Sequence, residues 1–204
     1  MSPSRSRRRR PRKKKSNKKL ILIVCLLAVV AVIIVAYTML GNNASNENVP
    51  SSNKVLLTTS MGDILIELRD DMPITTGNFK KLVQQGVYDD TIFHRVIADF
   101  MIQGGAPTGT DIIPSIPDEF TDNNKNERGT IAMANTGAPN SGSSQFFINV
   151  VNNSNNDFDE GYPVFGRVIE GMDVVDQIAK VEVDVASNYR PLEEVTLIKA
   201  EFVD

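Results

Sequence analysis

The spacing of apolar residues divides the chain into three parts. Positions 20–40 form an unbroken apolar or weakly polar run of 21 residues, positions 41–54 are rich in Asn and Ser, and short apolar runs separated by turn residues fill positions 55–204. As a helix, the long run would extend about 30 Å, which is enough to cross the hydrocarbon core of a bilayer. The pattern predicts a transmembrane anchor at 20–40, a flexible linker at 41–54 and a folded domain at 55–204.

The folded part reads as many short strands and two helices. Strands are predicted at Val55–Thr59, Ile64–Leu68, Phe93–Ile97, Met101–Gln103, Thr130–Ala134, Gln145–Val150, Val164–Val168 and Val195–Phe202. Helices are predicted at Pro73–Gln85, which starts with Pro and stops before Gly86, and at Met172–Ala179. Short strands with few helices favour a mainly β architecture, an antiparallel barrel with a helix at each end.

The segment Ala106–Asn126 has no clear apolar period and contains Pro114 and Pro117, so we expect a long surface loop. Its three isoleucines, Ile112, Ile113 and Ile116, fit two interpretations, a contact surface or packing against the barrel.

Charge is distributed very unevenly. Eleven of the 22 Lys and Arg residues lie in positions 1–19, where there is no acid, so the formal net charge of −3 combines a +11 tail with a −14 remainder that holds all 25 acids. By the positive-inside rule, the basic tail at 1–19 stays in the cytoplasm and the folded domain crosses the membrane. A cleaved signal peptide is the alternative, but such segments have shorter apolar regions and a small-residue cleavage site.

Several short blocks carry the candidate chemistry. They are Phe93-His94-Arg95-Val96-Ile97, Phe100-Met101-Ile102-Gln103-Gly104-Gly105, Ala134-Asn135 and Ser144-Gln145-Phe146-Phe147-Ile148-Asn149. Together with Gly129–Asn135 and Val164–Asp173, their order along the chain resembles the cyclophilin family of peptidyl-prolyl cis/trans isomerases. The resemblance implies a closed eight-stranded barrel capped by two helices, catalysis of X-Pro bond rotation, and no cofactor or metal.

Arg95 is the candidate catalytic residue, because a permanently charged guanidinium offers fixed donors to the amide nitrogen of a twisted X-Pro bond. The resemblance implies a proline pocket lined by Phe100, Met101 and Phe147. Gln103 and Gln145 would hold the substrate carbonyl or Arg95 itself.

Other residues complete the predicted site. The backbone of Ala134, Asn135 and Thr136 is expected to pair with the residue before proline, as in strand addition. His94 is expected to be a hydrogen-bonded wall residue, since the sequence offers no nucleophile for it to activate. Tyr162 stands where many family members have His.

One pocket wall departs from the family pattern at Asn155-Asn156-Asp157-Phe158, which replaces an aromatic-Leu-Asp segment. One register places Phe158 in the wall, and another places Asn155 there. Since neither supplies the indole of a Trp-bearing relative, weak cyclosporin binding is expected.

The sequence as a whole favours a membrane-anchored isomerase that acts outside the cytoplasm on unfolded or newly translocated chains. The alternative is a membrane-tethered module or chaperone that binds proline-containing segments, with incidental catalysis. A third reading, an RNA or ribosome adaptor built on the basic tail, conflicts with the acidic domain, which repels polyanions. Nucleic acid is therefore not expected as a partner.

Overall fold

A nine-stranded antiparallel sheet carries most of the fold. The structure is a computed structural model and describes residues 52–108 and 112–204. The predicted tail and anchor, and all of the linker before Ser52, lie outside these residues. Within them, no helix is both long enough and apolar enough to cross a membrane.

Eleven strands and three α-helices follow one another along the described chain. They are β1 Lys54–Thr59, β2 Gly62–Leu68, α1 Pro73–Gln84, β3 Thr91–Ile92, β4 Arg95–Ile97, β5 Met101–Gly104, β6 Thr130–Met133, β7 Phe146–Asn149, α2 Asn156–Gly161, β8 Val164–Glu170, α3 Met172–Ile178, β9 Val183–Asp184, β10 Arg190–Pro191 and β11 Thr196–Val203. A 3₁₀ turn, Val185–Ser187, connects β9 to β10. The predicted strands and both predicted helices are present, with ends shifted by one or two residues.

The prediction of a closed eight-stranded barrel is wrong. The large sheet has the order β3-β11-β1-β2-β8-β6-β7-β5-β4, so β3 and β4 are its two edges, and β9 and β10 form a separate hairpin. The prediction of two helices is also wrong, because α2 is a third. The predicted strand at Phe93–Ile97 is shortened to β4, which begins at Arg95, and Phe93 and His94 lie in the gap after β3 ends at Ile92.

Around the gap between β3 and β4, backbone hydrogen bonds to other segments replace pairing between these two strands. The N–H of Phe93 donates to the carbonyl of Val195 at 2.9 Å, and the N–H of Val96 donates to that of Tyr189 at 3.0 Å. The edge strands are only two and three residues long. Short edges covered in this way leave few free donors and acceptors for another chain to pair with.

The main core lies inside the curved sheet. Val55, Leu57, Ile64 and Ile66 alternate along the β1–β2 hairpin and are fully buried, as a half-buried antiparallel pair requires. Helix α1 adds Phe79, whose ring centroid lies 4.9 Å from that of Tyr88, 5.0 Å from that of Phe165 and 5.7 Å from that of Phe146. This aromatic cluster joins the helix to the sheet.

The long loop between β5 and β6 has no helix or strand in its described part. Ile113 and Ile116 pack against the main core, whereas Ile112 is 91% exposed. The packing interpretation therefore applies to two of the three isoleucines. The loop also caps α1, since the carboxylate of Glu119 accepts the N–H groups of Ile74 at 3.1 Å and Thr75 at 2.8 Å, which are orphan donors of the first helical turn.

The close approach of β8 to β2 gives the first testable prediction. A Cβ added to Gly166 would lie 2.7 Å from the carbonyl oxygen of Glu67 and 3.0 Å from Cγ2 of Ile131. Because the obstructing oxygen belongs to the backbone of a neighbouring strand, Gly166→Ala should lower the free energy of unfolding by about 1–3 kcal/mol. Urea denaturation measures this change.

Gly161→Ala is the matched control, because a Cβ there meets nothing within 4 Å. Its midpoint should stay within experimental error of the unmodified chain. Equal midpoints for both variants would contradict the steric role assigned to Gly166.

Candidate active site

Three neighbouring strands place the candidate catalytic residues in one row. Arg95 on β4 is paired with Gln103 on β5, which in turn is paired with Phe147 on β7. Directly paired residues project on the same face of a sheet. The sheet register thus brings a cation, an amide and an aromatic ring together from distant parts of the sequence.

The two glutamine side chains connect Arg95 to the rest of the site. Nη1 of Arg95 donates to Oε1 of Gln103 at 3.4 Å, and Nε2 of Gln103 donates to Oε1 of Gln145 at 2.9 Å. Since the amide of Gln103 is held by Gln145, its oxygen is oriented toward the guanidinium. This geometry is consistent with the prediction that Gln103 and Gln145 hold Arg95.

A cavity of about 440 Å³ lies above this row of side chains. Its walls are formed by His94, Arg95, Phe100, Met101, Gln103, Ala134, Asn135, Gln145, Phe147, Phe158, Tyr162 and Asn188. All of the predicted site residues except Thr136 line it. No carboxylate lines it among the residues that the structure describes.

The apolar part of the cavity is a second, smaller core. Met101 and Phe147 are 2% and 4% exposed and pack with Ala132, Ala134 and Val164. The rings of Phe100, Phe158 and Tyr162 lie against this cluster. The cavity thus combines an apolar, largely aromatic floor with many polar side chains, and small-ligand sites use the first for contact area and the second for orientation.

The structure settles which residue forms the uncertain wall. The ring of Phe158 lies 5.6 Å from that of Phe100, 5.7 Å from that of Phe147 and 4.6 Å from that of Tyr162, measured between centroids. Asn155 instead caps α2, and its Oδ1 accepts the N–H of Phe158 at 3.1 Å. The Phe158 register is the one present, and weak cyclosporin binding stays a prediction.

A buried carboxylate holds the short helix that carries Phe158. Asp159 is 6% exposed and accepts the backbone N–H of Asn126 at 2.8 Å, the hydroxyl of Ser154 at 2.7 Å and Nζ of Lys125 at 3.0 Å. Although burial by itself raises the pKa of Asp159, these donors together lower its pKa below the usual value. A six-residue helix has little stability of its own, so such tertiary bonds fix its position.

Two asparagines of the long loop complete this support. The Nδ2 groups of Asn124 and Asn126 donate to the carbonyl of Tyr162 at 3.0 and 3.1 Å, and Oδ1 of Asn124 accepts the N–H of Val164 at 2.7 Å. Both asparagines are buried. The loop therefore fixes both ends of the wall formed by Phe158 and Tyr162.

Arg95 differs from the other arginines of the described chain. Arg69, Arg128, Arg167 and Arg190 each form an ion pair with a carboxylate at 2.7–2.9 Å. Arg95 has no such partner among the described residues, and its buried Nε has no hydrogen-bond acceptor there. A half-buried guanidinium that faces a cavity with donors unused is available to a ligand.

His94 adds no second fixed charge to this site at neutral pH. Burial lowers its pKa below the ordinary value, and the positive charges of Arg190 and Arg95 lower it further. Its Nδ1 is buried without a hydrogen-bond partner in the described structure. A hydrogen bond with the side chain of Gln145 opposes this lowering of the pKa, so His94 is a wall residue with a hydrogen bond, as predicted, although its Nδ1 has no partner among the described residues.

One residue of the predicted strand-addition segment has both its backbone N–H and its backbone C=O free of bonds to the described residues. The N–H of Ala134 donates to the carbonyl of Gln145 at 2.9 Å, and that of Thr136 donates to Oγ of Ser141 at 3.1 Å. Thr136 is exposed and lies outside the cavity lining. Asn135 uses its side chain on Gly161 and Gly137, while its backbone N–H and C=O make no bond among the described residues.

A larger cleft of about 590 Å³ lies elsewhere, along β2 and β8. Its charged lining is largely self-satisfied, since Arg69 pairs with Asp71 at 2.7 Å and Arg167 pairs with Glu67 at 2.9 Å. The smaller cavity has the unused donor and the aromatic floor, so it is the stronger candidate site despite its size.

Sequence reasoning missed Asn188, which reaches the cavity from the connection between β9 and β10. No motif around it distinguishes it from an ordinary loop asparagine. Asn188 has a left-handed backbone, a conformation that asparagine tolerates better than most residues. That preference alone does not mark a site residue in a sequence.

The geometry can be compared with known proteins. The family model for cyclophilin type peptidyl-prolyl cis-trans isomerases matches residues 54–202. The chain is 43% identical over 149 residues to peptidyl-prolyl cis-trans isomerase A of Dickeya dadantii, covering 69% of this chain and 78% of that one. It is 48% identical over 134 residues to isomerase B of Escherichia coli, covering 60% and 82%.

Solved structures agree with this assignment. A cyclophilin type peptidyl-prolyl cis-trans isomerase of Cryptosporidium parvum superposes with a TM-score of 0.68 at 31% identity, over 74% of this chain and 98% of that one. A second crystal structure of that protein, determined in the presence of the dipeptide Ala-Pro, has a TM-score of 0.67 over 74% and 99% of the two chains. The chain belongs to the cyclophilin family and is a peptidyl-prolyl cis/trans isomerase.

The buried carboxylate under the pocket wall gives the second prediction. Because the pKa of Asp159 is lowered in the folded state, its contribution to stability is present above the unfolded value of about 3.9 and is lost as the pH falls through the folded pKa. Asp159→Asn should cost about 1–3 kcal/mol at pH 7 and should reduce the loss of stability below about pH 4. Urea denaturation from pH 7 to pH 2.5 measures both effects.

Asp157→Asn is the control, since Asp157 is exposed in the first turn of the same helix. It removes the same charge without touching the buried bonds. A pH profile of Asp159→Asn that is parallel to that of the unmodified chain would show that Asp159 does not hold α2.

Proposed function

We propose that this isomerase is tethered to a membrane by its N-terminal segment and rotates X-Pro bonds in unfolded or newly translocated polypeptides outside the cytoplasm. Arg95 supplies the hydrogen-bond donor that stabilises the twisted bond. The observation that carries the catalytic part is the unpaired guanidinium of Arg95, fixed by Gln103 beside an apolar recess.

Rotation about an X-Pro bond needs no bond to be broken. Its barrier of about 18–20 kcal/mol arises from the partial double-bond character lost at the twisted state. In that state the proline nitrogen regains a lone pair and accepts a hydrogen bond that neither ground state accepts as well. A preorganised donor aimed at it therefore lowers the barrier instead of merely tightening binding.

The cavity supplies the remaining requirements. Phe100, Met101 and Phe147 form a recess for the proline ring, which holds one side of the bond. The free backbone groups of Asn135 would pair with the preceding residue and hold the other side. The Cryptosporidium relative was crystallised in the presence of Ala-Pro, which supports proline-containing peptides as the ligand class.

The tethered location rests on the distribution of charge and apolar residues. The +11 tail precedes an uncharged 21-residue run, and the rest of the chain carries −14. A basic flank on one side of an apolar span sets its orientation, with the basic side in the cytoplasm. The substrates would then be chains that emerge on the other side of the membrane.

Replacing Arg95 tests the catalytic role. Arg95→Ala in the full chain should lower kcat/KM for an Ala-Pro peptide about 10²- to 10³-fold, since it removes one preorganised donor. The melting midpoint should change little, because Arg95 forms no ion pair in the described structure. Exchange spectroscopy of the cis and trans peptide signals by NMR measures the rate.

Arg167→Ala is the matched control, since Arg167 is exposed on β8 and pairs with Glu67 far from the cavity. It should keep full activity. Activity of Arg95→Ala close to that of the control would overturn the assignment of Arg95, and would favour a proline-binding module in which catalysis is incidental.

Protease protection tests the tethered topology. Protease added to intact cells, or to cells whose outer membrane has been permeabilised where one exists, should release or digest the region after Gly41 and spare the basic tail. Cells opened with detergent serve as the control for protease access to the tail. A soluble chain that begins near Gly41 would show that the apolar run is a cleaved signal peptide.

A further inference from the structure

The connection between β9 and β10 brings one unassigned polar group to the active-site cavity. Asn188 lines this cavity, yet it lies more than 30 residues after Phe147 and outside the short sequence motifs that predicted the other site residues. No hydrogen bond involves its side-chain amide within the described structure, although other asparagines at the site, such as Asn126 and Asn135, use theirs internally.

The backbone at this point is in an uncommon conformation. Asn188 and Tyr189 have φ values of 59° and 60°, two successive left-handed residues that are not glycine. For a bulky residue such as Tyr189, this conformation costs free energy and persists only where the surroundings impose it. Residues held in such conformations are concentrated at ligand sites, which is consistent with a ligand-binding role for this connection.

Bonds on both sides hold Asn188 in place. Before it, the carboxylate of Asp184 accepts the N–H of Ala186 at 2.9 Å and the hydroxyl of Ser187 at 2.5 Å. After it, the carbonyl of Tyr189 accepts the N–H of Val96, the residue that follows Arg95 on β4, at 3.0 Å. The backbone of Asn188 is therefore held on the β4 side of the cavity, and its exposed side chain presents an amide that no described group bonds.

The position of Asn188 indicates which part of a substrate it meets. Asn135, the proposed partner of the residue before proline, belongs to the opposite side, where its side chain donates to Gly161 at the end of α2. A peptide that enters along Asn135 and places its proline over Phe147 must leave toward the β4 side. The residue after the proline then comes closest to Asn188.

We infer that Asn188 is a specificity-determining residue whose side-chain amide binds the backbone of the residue that follows the proline. This subsite rests on the proposed use of the cavity for X-Pro bonds. It favours substrates in which the proline lies inside a continuing chain over those that end at the proline, as expected of an enzyme for polypeptides.

Two peptides that differ only after the proline test the inference. Acetyl-Ala-Ala-Pro-dimethylamide lacks a following residue, and acetyl-Ala-Ala-Pro-Ala-Ala-amide has two. Asn188→Gly removes the amide while glycine adopts the left-handed backbone without strain. In the full chain, this variant should lower kcat/KM for the longer peptide about three- to tenfold, mainly through KM, and leave the shorter peptide unchanged.

Asn140→Gly is the matched control. Asn140 is also left-handed, with φ 56°, but it does not line the cavity, and its Oδ1 accepts the N–H of Asp118. It should leave the ratio of the two peptide activities unaltered. NMR exchange rates give the activities, and thermal melting confirms that both variants are folded.

The outcomes separate the inference from the function on which it rests. An unmodified chain that isomerises both peptides, combined with equal losses or no loss in Asn188→Gly, would overturn the subsite alone. An unmodified chain inactive on both peptides would overturn the proposed function and the subsite with it. A loss confined to the longer peptide, absent from Asn140→Gly, supports the inference.

Discussion

The register of β5 between β4 and β7 is the constraint on which the site depends. It pairs Gln103 with Arg95 on one side and with Phe147 on the other. A slip of one residue would turn these side chains to the opposite face of the sheet. Since Ile102 and Ile148 fill the main core on that opposite face, the hydrophobic core itself fixes the register. Packing thus sets the register of the site, and the hydrogen bonds from Gln145 through Gln103 to Arg95 orient its polar side chains.

The cavity wall formed by Phe158 and Tyr162 is held in place mainly by hydrogen bonds. Helix α2 has six residues and carries Phe158 into the cavity, while Asp159, the next residue, points into a set of buried donors. A helix of six residues has little apolar area to bury against an aliphatic core. Directional bonds to Asp159, Asn124 and Asn126 fix its position instead, and each has geometric requirements that apolar contact lacks. The wall is consequently more sensitive to pH and to single polar substitutions than the β-sheet floor.

Periodicity predicted the elements that bury an alternating or helical stripe, because β1, β2 and α1 show their burial directly in the sequence. The short motifs predicted the residues around the cavity. The prediction of a closed barrel was wrong, because whether β3 and β4 pair depends on the backbone around His94 and not on any residue pattern. The third helix and Asn188 were missed for a related reason: both depend on tertiary hydrogen bonds between segments distant in sequence, which local patterns do not encode.

The sheet order also determines which strand edge borders the cavity. Ser52, the first residue that the structure describes, bonds the carbonyl of Val203 and precedes β1, which lies between β11 and β2. The strands that carry Arg95, Gln103 and Phe147 are at the far end of the same sheet, four or more strands away from β1. The edge strand β4 therefore borders the cavity, whereas β1 does not. The N–H of Val96 on this edge is bonded to the carbonyl of Tyr189, so a polypeptide in the cavity would meet few free groups on β4 for extended strand pairing.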